Sequence, residues 1–485
     1  MMKKNGIKVC ALILVVVLCI PPLLSGCGKK TLWIVTDAEP CTRRYAQIDS
    51  LIREFQSNHP EVEIEFERIP TEKEAQETML GRIQTATMAG RGPDVFLPAT
   101  PYARSTISND NVPLYTEASS GLVFKDVQQA MRNGLFMDLS KYYDADEELG
   151  KEALVPAVME AGVYDGRRYV LPLRFDLPIA YVDKTQFEAA GYSLDVFDSG
   201  LLGLMEAVAA SGDQQMAKSC YIANIIRWSV FNFFPNFLDY ENQKVLLTAD
   251  ELSGFINTHQ KIRTLMGTKH TLVDYWSWLT YFLIGSHWSD ADSMQLCGME
   301  NIICDVVISE AEGIDLSIIP LRAADGTLIA DVTYYGAVGA GCDEPELAYE
   351  FLREFLLEDS QWESGNMSAT LGEACMPGWP VRTVNAAQQM FSNQYSYWKK
   401  YVAGQQGFFR LKYLKQFEPT DDAIPDWHEE IDVARFSLPM EKVVGEVTWY
   451  ATAAGYAQRV DPSIAGITDF ANKIIEDLEW HLAEG

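Results

Sequence analysis

No histidine in this 485-residue chain stands at metal-ligand spacing from another: His428-Glu429-Glu430-Ile431-Asp432 begins like the H-E-x-x-H zinc motif and lacks its second histidine. A G-x-S-x-G nucleophile elbow, a P-loop and a G-x-G-x-x-G turn are also missing. The reading therefore expects no metal, no cofactor and no motif-bearing catalysis. Carboxylates are abundant, at 68 Asp and Glu. A glycosidase needs only two of them at a set separation, so that chemistry stays open without any motif to mark it.

Cys27 is the residue whose surroundings prescribe a reaction. Lys3 and Lys4 precede an uncharged, largely apolar run over 9–24, which ends in Leu24-Ser25-Gly26-Cys27-Gly28. That is a secretory signal with a small-residue cleavage site. The pattern resembles the bacterial lipobox, which implies cleavage after residue 26 and diacylation of the Cys27 sulfur. The run is shorter than the roughly 20 residues that span a bilayer, and Pro21-Pro22 would interrupt a helix. Two acyl chains give stable anchoring where one is marginal. Cys10 and Cys19 leave with the signal, and Cys41, Cys220, Cys297, Cys304, Cys342 and Cys375 are scattered without a C-x-x-C. In an exported chain they can pair, yet a core of this size does not require staples and suits buried free thiols at least as well, so the sequence assigns no pairing.

The formal charge is −29, and cleavage of 1–26 removes three lysines and no acid. Such a surface repels nucleic acid and anionic lipid. The length exceeds one ordinary core and predicts two lobes.

The elements read as alternating strand and helix. Thr31 to Thr36 is a β-rich run, and Ile48, Leu51, Ile52 and Phe55 follow at helical spacing until His59-Pro60 stops them. Val62-Glu63-Ile64-Glu65-Phe66 alternates as a half-buried strand, and a helix over 72–89 breaks at Gly90-Arg91-Gly92-Pro93 before the short strand Asp94-Val95-Phe96-Leu97. Helical runs are expected around 429–444 and 467–482. The alternation predicts an α/β fold with parallel strands.

In this order the chain resembles the family 1 extracellular solute-binding proteins. The likeness runs through Asn58-His59-Pro60, Ala89 to Phe96, Gly134-Leu135-Phe136-Met137-Asp138-Leu139, Tyr164-Asp165-Gly166-Arg167-Arg168-Tyr169-Val170-Leu171-Pro172 and Tyr181-Val182-Asp183-Lys184. It continues with Ser293-Met294 and Gly298, Ile319-Pro320, and the small-residue strand, turn and helix over 337–358. The resemblance implies a periplasmic-binding-protein-like α/β fold of two lobes around a ligand cleft, joined by three crossover segments near 175–179, 335–339 and 372–378. It divides the mature chain, after a tether over 27–30, into a first lobe of 31–176 with 338–374 and a second of 177–337 with 375–485.

The same resemblance implies a monomeric, extracellular lipoprotein on the outer face of the cell membrane, not an enzyme, which hands a carbohydrate or oligosaccharide to the permease subunits of an ABC importer. The alternatives are a surface-anchored polysaccharide hydrolase and a binding protein that presents ligand to a membrane sensor. A carbohydrate cleft needs aromatic faces for the sugar C–H faces and carboxylates, amides or guanidinium groups for the hydroxyls. The positions where the family places its contacts give Asp37 and Glu39 after the first strand, Thr100, Asp176 at the first crossing, Trp228, Glu300, Tyr335 and Trp379. Asp37 could instead cap a helix, and Asp176 could pair with Arg174. Pro98 and Glu300 stand where the family carries aromatic residues, so the ligand's identity stays open. Arg382 offers either an anion contact or an ordinary salt bridge.

Overall fold

Strand β1 (Lys30–Thr36) is buried from Ile34 onward, and its parallel neighbours are β2 (Val62–Arg68) and β3 (Val95–Leu97). Between the first two lies helix α1 (Arg43–Asn58), and all four of its residues Ile48, Leu51, Ile52 and Phe55 are buried against the sheet, as their spacing predicts. Helix α2 (Lys73–Met88) precedes β3; Glu72 caps it, accepting from the backbone N–H groups of Glu74 at 3.2 Å and Ala75 at 2.8 Å. The computed structural model describes residues 30–38, 43–99, 105–107, 113–115, 123–214, 216–217, 234, 237–266, 294–298, 309, 313–357, 379–382, 427–436 and 465–483.

Two apolar cores, each with its own sheet, organise these residues. Besides β1, β2 and β3, the elements that matter are α3 (Val127–Arg132), β4 (Val170–Asp176), β5 (Pro178–Asp183), α4 (Gly200–Ser211), the hairpin β6 (Leu238–Asp239) and β7 (Lys244–Val245), and α5 (Ala249–Met266). After them come β8 (Met294–Gly298), β9 (Leu316–Pro320), β10 (Ile329–Val338), α6 (Pro345–Arg353), β11 (Trp379–Pro380), β12 (Val433–Phe436) and α7 (Ile467–Ala483). Among the described residues the larger sheet runs β11-β4-β10-β3-β1-β2, with β12 also paired to β10. The smaller sheet runs β8-β5-β9. Its core joins Val182, Phe187, Leu204 and Val208 to Phe255 and Ile256 of α5 and Phe470, Ile474 and Leu478 of α7.

The chain leaves the large sheet at Asp176 and enters the small one at Pro178, with Leu177 fully buried between them. It returns between β9 and β10, where the Leu321 N–H donates to the Pro178 carbonyl at 2.8 Å. The two crossings lie side by side.

Three expectations need correction. Strand β10 was to belong to the second lobe as far as residue 337, yet over its whole length it pairs with strands of the large sheet. Almost every side chain of β10 is buried, so both faces are covered and its ladder cannot be cut at Gly336; the change of sheet falls instead on 321–328, outside both β9 and β10. Within 375–485, β11 pairs with β4 and β12 with β10, so these segments stand in the large sheet while α7 stands in the second core. Finally, Val433–Phe436 is a strand and not the start of a helix, since a parallel partner on β10 satisfies its backbone. The tail of that expected helix, the crossing near 372–378, the signal and the tether up to residue 29 lie outside the described residues, while Lys30 already opens β1.

Gly339 and Gly341 explain how the end of β10 closes on the turn before β3. A Cβ on Gly339 would stand 2.2 Å from the Pro93 carbonyl oxygen, and one on Gly341 would stand 2.4 Å from that of Gly90. Only glycine lets the two backbones approach so closely.

Candidate ligand site at the strand ends

The C-terminal ends of parallel strands are where open α/β sheets bind ligands, and here β1 and β3 end together. The Thr36 hydroxyl donates to the Leu97 carbonyl at 2.7 Å and accepts from the Ala38 N–H at 3.1 Å, which fixes the turn after β1. Asp37 is thereby held with its side chain fully buried. Its Oδ1 accepts from the Ala99 N–H at 3.1 Å and from Nη2 of Arg44 at 2.5 Å. The Arg44 guanidinium in turn lies 5.2 Å from the centre of the Tyr334 ring, a cation–π contact away from water.

Strand β10 contributes the wall. Tyr334 is the register partner of Arg174, Asp331 is the partner of Asp176, and on the other side Asp331 is the partner of Arg435. Register partners share a sheet face, and so do Arg174 and Asp176, two residues apart on β4. Arg174, Asp176, Asp331, Tyr334 and Arg435 therefore form one polar row. Tyr335, the residue after Tyr334, packs its ring against that of Phe436 with centres 5.2 Å apart. At its outer end the row meets the second core: the Arg435 guanidinium is 3.9 Å from Asp331 and 5.0 Å from the centre of the Phe237 ring.

Burial sets the electrostatics of this row. Desolvation pushes the Arg174 guanidinium down to about 10, against a smaller opposing effect from Tyr334. It pushes the phenols of Tyr334 and Tyr335 up, so both remain protonated donors at neutral pH, with Asp37 adding to the rise in each case. Among the described residues neither hydroxyl has a hydrogen-bond partner. A buried donor left unmatched costs about 1–3 kcal/mol, a cost that a bound acceptor removes.

The residues singled out from sequence are distributed as follows. Asp37 is buried as the partner of Arg44; Asp176 is half-buried, with its Oδ1 accepting from the Leu177 N–H at 2.9 Å. Tyr335 and Trp379 are at most 1% exposed, Tyr335 against Phe436 and Trp379 beside His428 with ring centres 6.0 Å apart. Arg382 holds backbone, donating to the carbonyls of Leu356 at 2.8 Å and Leu149 at 2.6 Å. Glu39, Thr100, Trp228, Glu300 and Cys27 lie outside the described residues. Sequence reasoning passed over Arg44, Asp331 and Arg435. Arg44 could have been found as a cation opening the helix that follows the first strand; the other two carry no local signal.

No family model matches the sequence, and no curated protein matches it. Solved structures that align with it include the cyclic alpha-maltosyl-1,6-maltose binding protein from Arthrobacter globiformis, 14% identical with a TM-score of 0.49 over 94% of this chain and 100% of that one. The GacH receptor of Streptomyces glaucescens is 14% identical, with a TM-score of 0.49 over 94% and 99% of the two chains. An extracellular solute-binding protein family 1 from Alicyclobacillus acidocaldarius is 13% identical, with a TM-score of 0.45 over 93% and 98%. These are likenesses of chain path, and they say nothing of which side chains bind.

Proposed function

We propose that this chain is a lipid-anchored extracellular solute-binding protein that captures a carbohydrate between its two lobes and delivers it to the permease subunits of an ABC importer. The observation that carries the reading is the row from Asp37 and Arg44 through Tyr334, Arg174 and Asp176 to Asp331 and Arg435, set on one sheet face where the two cores meet. Carboxylate acceptors, guanidinium donors and a phenol stand together along it, the mix that matches the many in-plane hydroxyls of a sugar. The binding lobes close by population shift, because a ligand touching both favours the closed form. The apolar N-terminal run with Cys27 supports anchoring at the outer face of the membrane.

A thermal-shift screen against mono- and oligosaccharides and polyols tests the reading. A true ligand at 100 times its Kd stabilises by about 2.7 kcal/mol, which a melting curve resolves. Absence of any shift across the panel overturns carbohydrate capture, and release of cleaved products overturns the non-enzymatic reading in favour of a surface hydrolase.

A further inference from the structure

Asp126 lies 5% exposed at the start of α3, in the part of the chain that belongs to the first core, and its carboxylate is used three times. Oδ1 accepts from the Gln129 N–H at 2.9 Å and so caps the helix. Oδ2 leaves the first core altogether. It accepts from the Tyr240 hydroxyl at 2.9 Å and meets Nε2 of His481 at 2.7 Å. Tyr240 sits in the β6–β7 turn, and His481 is in the last turn of α7, a helix of the second core. A second bond runs alongside, from the Gln129 side-chain amide to the His481 carbonyl at 2.9 Å. Asp126 also adds, after burial and Asp37, to the rise of the Tyr335 phenol.

We infer that Asp126, Tyr240 and His481 form a clasp between the lobes, which limits how far the ligand cleft opens. Three features support this role over simple helix capping. The cap needs one oxygen, and the second is committed across the junction. The Asp126 side chain is 1% exposed and that of His481 20%, so the contact works where charge-assisted hydrogen bonds are strong. The Gln129 bond holds the free carbonyl end of α7 to the same point, so two elements of the second core are fixed to one helix of the first. The clasp is built from residues other than those of the polar row, so it sets the balance of open and closed forms and leaves recognition to that row. The inference rests on the reading of the chain as a two-lobed capture protein.

The decisive variants are Asp126→Ser, Tyr240→Phe and the pair together, each in the full chain. Serine keeps the cap, being as good an N-cap as aspartate, and has neither the second oxygen nor the reach to replace it. Amide exchange read by mass spectrometry, with no ligand present, should speed up about tenfold in 238–245 and in the end of α7 for either single variant. Small-angle scattering should give a larger radius of gyration in both. The double variant should add nothing further, because one interaction has been removed twice. Faster exchange confined to 123–132, additive effects in the double variant, or an unchanged radius would each overturn the clasp. The outcome is independent of the sugar screen: failure of the screen with a functioning clasp removes the ligand class alone, and failure of the clasp leaves the screen's result standing.

Discussion

Arg44 does two things at once: it donates to the buried carboxylate of Asp37 at 2.5 Å and covers the face of the Tyr334 ring at 5.2 Å. The contact joins the first turn after β1 to the strand that returns from the second sheet. Arg44→Ala should cost about 3–5 kcal/mol, the range seen when one partner of a buried pair is deleted. Urea denaturation of the two proteins checks it, and a loss below about 1 kcal/mol would place the pair among ordinary surface contacts.

Tyr334→Phe should act with opposite signs on stability and binding. The hydroxyl is buried and has no partner among the described residues, so its removal should leave the ligand-free protein as stable or more so, by up to about 1–3 kcal/mol. If the same hydroxyl meets a sugar oxygen, affinity for the best compound of the screen should fall about tenfold, as loss of about 1.4 kcal/mol requires. A lowered melting point without ligand would show that the hydroxyl already has a structural role.

Asp176→Asn separates ligand binding from architecture. Asn keeps the shape and an acceptor for the Leu177 N–H, and it removes the charge and one acceptor oxygen. Affinity should drop at least tenfold, since each charge-assisted bond contributes roughly 1.5–3 kcal/mol. Titration of wild type and variant, with melting of both in the absence of ligand, decides the matter; unchanged affinity with a lower melting point would make Asp176 a structural residue only.

If the chain is the lipoprotein proposed above, Cys27→Ser should abolish lipid anchoring, because that proposal puts the acyl chains on the Cys27 thiol. Detergent-phase partitioning of wild type and variant measures this directly. Equal partitioning of the two would end the lipoprotein assignment.

The sequence by itself determined whatever depends on neighbours along the chain. The apolar face of α1, the alternation of β2 and the breaks at His59-Pro60 and 90–93 all follow from periodicity and from proline and glycine, and the structure has them there. Of the candidate site, Asp37 and Asp176 were reached through the family resemblance, as carboxylates after the first strand and at a crossing. The rest was decided by tertiary structure, because strand partners are chosen by burial over distances that no local window covers. The continuous burial of β10 assigns it to the large sheet although its small residues suggested a boundary. Tyr334 meets Arg44 while Tyr335, one residue on, lies against Phe436. Asp126 finds His481 across a sequence separation of 355. A tyrosine pair or a lone aspartate looks the same in sequence wherever it faces; only packing, which sets the face each side chain takes and the water it loses, gives it a partner.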